Sequence, residues 1–132
     1  MPRFAEHSVI GVGTGALYSL VVQHSRQTTA QLQIAPMHLI GCAIAGFLGS
    51  CLPDKLEPAD QSTGPNHRGA VHSASLLALM VEAVRYFATL ETKSEFMRLL
   101  ADLAGAFCAG LSSHLVADLF TPRGLNLAVK GF

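Results

Sequence analysis

His114 and Asp118 stand four residues apart near the C-terminus, in the stretch Ser113-His114-Leu115-Val116-Ala117-Asp118. In a helix that spacing puts both on one face, so an imidazole and a carboxylate can grip one ion. A second cluster lies mid-chain. It holds Asp54 directly after Pro53, then Glu57, then His67 and His72, five apart across an expected loop-to-helix boundary. His7 stands alone near the N-terminus. Imidazole with carboxylate suits zinc, with manganese or iron as alternatives. The candidate metal ligands are therefore His7, Asp54, His67, His72, His114 and Asp118. Six nitrogen and oxygen ligands exceed what one tetrahedral zinc takes, which points to two divalent ions, or to one ion plus a catalytic base.

Each of these residues also has a plainer reading. His7 can cap a helix, Asp54 can form a turn, and His114 with Asp118 can be a surface pair. The last is expensive in a helix so poor in charge, because isolated charges among apolar residues must be paired. The three cysteines, Cys42, Cys51 and Cys108, lie in apolar, small-residue contexts and have no pairing pattern. They read as small buried hydrophobes and not as ligands or disulfides.

Four helical segments must position these residues, at about 5–23, 36–51, 68–89 and 96–120. The first carries Gly11, Gly13 and Gly15, which weaken it in isolation, so packing must hold it. The second opens at Pro36, where a missing N–H costs nothing, and is expected to end before Pro53. Prolines and Gly64 make the stretch 53–66 a loop. The third helix shows a broad apolar face from Leu76 to Phe87, and the fourth repeats leucines at helical spacing until Thr121-Pro122-Arg123-Gly124. The sequence shows no strand alternation and no internal repeat. The expectation is one all-α domain over 1–132, an up-and-down bundle. In that arrangement His7, Asp54, His67, His72, His114 and Asp118 all fall at one end, with His24 and His38 at the other.

Half of the 132 residues are apolar and 14% are charged, well below the ~25% of soluble domains. That composition suggests membrane association, although the segments rich in Gly, Ala and Ser also suit a compact soluble bundle. Nine basic and nine acidic residues cancel, and no basic arm or aromatic-plus-basic pattern recommends nucleic acid. Lys and Arg fall at both ends, so they assign no topology.

Leu52-Pro53-Asp54, His67-Arg68-Gly69, His72-Ser73 and Ser113-His114-Leu115, with Asp118, Thr121-Pro122 and Gly124, resemble the membrane-bound metal-dependent hydrolase family. His7 with Gly11 resembles the start of that family, so the likeness covers nearly the whole chain. It implies a small helical protein of the bacterial inner membrane. Many members read Pro-Asp-x-Asp where this chain has Asp54-Lys55-Leu56-Glu57, so Glu57 replaces the second acid or is displaced. The His114–Asp118 pair is also weakly similar to the helical zinc phospholipase C and nuclease group, which implies a phosphoester substrate, including a lipid headgroup. The expected activity is attack of metal-activated water on a phosphoester or related ester. The expected partners are membrane lipid and a small-molecule or lipid phosphoester. Glu57 or an unbound Asp would be the base, and Arg68 and Arg123 would steady an anionic oxygen. The rival expectations are an ion that only staples a glycine-rich bundle, and a plain membrane protein with histidines at headgroup level.

Overall fold

The structure is a computed structural model that describes residues 4–27, 34–56 and 70–120. Four helices follow in order: α1 (Phe4–Arg26), α2 (Pro36–Leu56), α3 (Ala74–Thr89) and α4 (Glu95–Leu119), with a 3-10 turn at Ala70–His72 before α3. Among the described residues there is no strand, and the architecture is the expected all-α bundle.

The elements start where local chemistry allows. Ser73 caps α3, its side chain accepting a hydrogen bond from the Leu76 amide at 3.1 Å. Ser94 caps α4 in the same way through the Met97 amide. These serines satisfy amides that the first helical turn leaves open. The third helix thus begins at Ala74 and not near residue 68, with His72 held in the tight turn before it.

One boundary differs more consequentially. α2 does not stop before Pro53 but runs through it to Leu56. Proline costs most in a helix interior, where it removes a backbone bond and crowds the preceding turn. Here it falls in the last turn, and its ring is fully buried. Asp54 therefore projects from a helical turn and not from a loop.

α1 and α2 run antiparallel and touch backbone to backbone. A Cβ at Gly15 would run into the Cys42 carbonyl, and one at Gly46 would meet the Gly11 carbonyl. Gly110 of α4 lies against the Gly46 backbone in turn. Each glycine costs ~1 kcal/mol of helix propensity against alanine, and close helix contact offsets it. Gly13, by contrast, faces open space.

The radial distribution is inverted relative to a soluble bundle. The larger buried apolar residues are Tyr18, Val22, Pro53, Leu111 and Leu115, among mostly Gly, Ala, Ser and Cys. The larger side chains Val9, Leu17, Ile44, Leu48 and Leu79 are exposed. Water would penalise so much contiguous apolar surface, whereas lipid does not. α2 and α4 are each long and apolar enough to cross a membrane, at 21 and 25 residues. α4 is the hub: α1, α2 and α3 all pack on it, and α3 buries no residue fully.

Candidate metal centre

Four elements deliver one cluster. His7 comes from the first turns of α1, Asp54 from the last turn of α2, His72 from the 3-10 turn, and His114 and Asp118 from α4. Because α1 runs against α4 while α2 runs with it, the start of α1 and the ends of α2 and α4 meet. His7, His72, His114 and Asp118 are buried. Asp54 is not: 37% of its side chain is exposed, and it forms the open side.

The distances are ion-pair distances, longer than direct hydrogen bonds, and suit a shared centre. His114 Nε2 lies 3.6 Å from both Asp54 Oδ1 and Asp118 Oδ2. His72 Nε2 lies 3.6 Å from Asp118 Oδ2 and 4.0 Å from Asp54 Oδ1. His7 Nε2 reaches the other oxygen of Asp118 at 3.8 Å. Hydrogen bonds of this type close to about 2.9 Å. Ligands bound at ~2.1 Å in a tetrahedron stand about 3.4 Å apart, close to the spacing seen. The rings of His7 and His114 stack with centroids 3.9 Å apart. Two imidazoles can lie so close while buried only if at least one is neutral, the ligating form. Both ring nitrogens of His114 and Nδ1 of His7 have no hydrogen-bond partner among the described residues. Buried polar atoms are rarely left so, because each costs ~1–3 kcal/mol. Two sets of potential ligand atoms are close enough to hold an ion, His7–His114–Asp118 and Asp54–His72–His114.

The helix ends thus bring together five of the six expected ligands. His67 lies outside the described residues, as do Glu57, Arg68 and Arg123. The three cysteines are buried and free, and none joins either set.

A second polar cluster at the far end is absent from the sequence reading. Asp102 of α4, fully buried, accepts two hydrogen bonds from Arg26, at 2.6 and 2.7 Å. His38 Nε2 lies 2.9 Å from the same carboxylate, and its Nδ1 is 2.7 Å from the Ser19 hydroxyl. Gln23 donates to Ser19 Oγ and accepts from the Ala35 amide. The signal was available: one acid inside an apolar helix demands a partner. The other histidine assigned to that end, His24, is exposed.

A bundle with small residues inside, large apolar residues outside and two membrane-length helices defines a small helical integral membrane protein. Its sequence matches the family model described as YdjM inner membrane protein over residues 1–129, and the chain belongs to that family. It is an inner-membrane protein. No curated protein and no solved structure matches it.

Proposed function

We propose that this chain is a metal-dependent hydrolase of the inner membrane, acting on a phosphoester or related ester. The observation that carries the reading is His114: a fully buried imidazole with neither nitrogen hydrogen-bonded among the described residues, facing two carboxylates at 3.6 Å. An ion held there removes the cost of that arrangement. His7, Asp54, His72, His114 and Asp118 would hold it, with zinc the first candidate and manganese or iron the alternatives. A bound divalent ion would lower the pKa of water to near neutrality and so supply a hydroxide nucleophile.

The chain's own groups do the rest. Asp118 reaches His7 through one oxygen and His72 and His114 through the other, so it orients three rings at once. Asp54, on the exposed side, leaves an approach for water and substrate. Glu57 is assigned as base, and Arg68 and Arg123 as anion contacts, from sequence alone. His67 completes the ligand set on the same ground.

Burial of four of the five groups favours a second reading, an ion that only staples the bundle. One experiment separates the two. The detergent-purified full chain is assayed for metal by elemental analysis and for cleavage of bis(p-nitrophenyl) phosphate, beside His114→Ala and His72→Ala. Stoichiometric metal and turnover, both lost in the variants, support the hydrolase. Metal without turnover on any ester supports the staple. No metal after reconstitution sinks both.

A further inference from the structure

α1 and α3 both pack on α4 but leave a cleft of about 560 Å³ between them, within the range of small-molecule sites. Ile10 and Thr14 form one wall, Val81 and Val84 the other, and α4 the floor from Ala109 to Phe120. Within α4 that floor, from Ala109 to Leu119, is eleven residues long, about 16 Å of helix, and Phe120 follows it at the helix end. The floor shares the last turns of α4 with His114 and Asp118 of the His–Asp cluster. Ala117 precedes Asp118, Ser113 precedes His114, and Ile10 is one turn beyond His7.

The cleft offers nothing polar to a ligand along its length. The three hydroxyls that line it are spent on their own helices: Thr14 donates to the Ile10 carbonyl, Ser112 to Cys108 and Ser113 to Gly110. Arg85, on the rim, is paired with Glu82 at 3.3 Å. A peptide or a sugar needs hydrogen-bond partners along its whole length, and a hydrocarbon chain needs none. The floor is a helix of membrane length in an inner-membrane protein, so lipid is the phase outside the cleft.

We propose that this cleft holds the acyl chain of a lipid whose phosphoester head lies at the His–Asp cluster. The substrate class is then a membrane lipid and not a soluble phosphoester. This rests on the hydrolase reading for the head, but the chain-binding part is tested without turnover. The open side at Asp54 is where the head would enter, while the tail stays in the apolar phase throughout.

The test uses the full chain in vesicles of phosphatidylethanolamine and phosphatidylglycerol carrying a photoreactive diazirine acyl chain. Crosslinked residues are mapped by mass spectrometry, and metal content is measured on the same samples. Labelling is expected to concentrate on cleft residues such as Val84, Ser113 and Val116, at least fivefold over Ile44 and Leu48 on the outer face of α2. Thr14→Phe and Val81→Phe fill the cleft from opposite walls. Each should cut that labelling about fivefold with metal content unchanged, while Val9→Phe, outside the cleft, leaves it intact. Even labelling of all lipid-facing surfaces would overturn the proposal. Loss of metal from the wild type would count against the hydrolase reading alone.

Discussion

Both ends of the bundle set histidine against an aspartate of α4, and they arrive at opposite states. At the Arg26–His38–Asp102 end, donors meet acceptors at 2.6–2.9 Å. At the His7–His114–Asp118 end, imidazoles and carboxylates face one another at 3.6–4.0 Å, and the His114 ring has no hydrogen bond among the described residues. Asp102 and Asp118 lie on one helix, sixteen residues and about 24 Å apart, so composition does not separate them. What separates them is the partner supplied. Arg26 brings a fixed charge with a fork shaped for a carboxylate, and the pair closes on itself. Histidine brings a lone pair once neutral, and several of them around a carboxylate are a donor set that suits a divalent ion. The first end is a structural knot. The second carries the groups to which we assign a metal.

The sharpest way to break this contrast is to remove each end's acid in turn. Asp102→Ala strands Arg26 and His38 and should destabilise the protein by about 3 kcal/mol or more, as broken buried ion pairs do. Thermal unfolding in detergent would show it, and the surviving folded fraction should keep its metal. Asp118→Asn should do the reverse. Metal content falls at least tenfold, while the metal-free protein unfolds at nearly the wild-type metal-free temperature. Equal destabilisation by both variants would erase the distinction between the ends.

Chelation sharpens the contrast further. Stripping the ion should lower the unfolding temperature of wild type by several degrees, since bound ligand stabilises by mass action. The His114→Ala variant should not respond to the chelator. A smaller effect is expected from His38→Gln, which keeps a polar side chain at the knot and costs about 1 kcal/mol, the worth of one hydrogen bond. Its metal content should match wild type. If His38→Gln lost metal, the knot would be part of the site. The smallest effect belongs to Thr14→Val, because that hydroxyl bonds only its own helix; its unfolding temperature should lie within ~0.5 kcal/mol equivalents of wild type.

Much of this was legible in the sequence. Apolar periodicity and Pro/Gly punctuation give four helices, and chain direction alone sorts His7, Asp54, His72, His114 and Asp118 to one end. Three features were not legible. The helix through Pro53 depends on where the ring packs, a tertiary fact that overrides the local cost of proline. The knot depends on Arg26 and Asp102 meeting across 76 positions of chain, and Arg26 by itself reads as a charge at a helix end. Asp102 was the missed clue, since a lone acid among Leu and Ala must have a partner somewhere. Which glycines face a neighbour was equally hidden. Gly15 and Gly46 sit at a helix crossing and Gly13 does not, although all three look alike in sequence.

The central claim is that nitrogen and oxygen ligands from the helix ends, and no cysteine, hold a divalent ion. X-ray absorption at the zinc edge of the full chain, loaded with zinc in detergent, tests it most directly. The account predicts a first shell of only nitrogen and oxygen at about 2.0–2.1 Å, with the outer-shell pattern of two or more imidazoles, all lost in His114→Ala. A sulfur shell near 2.3 Å, or a spectrum unchanged by His114→Ala, would contradict it.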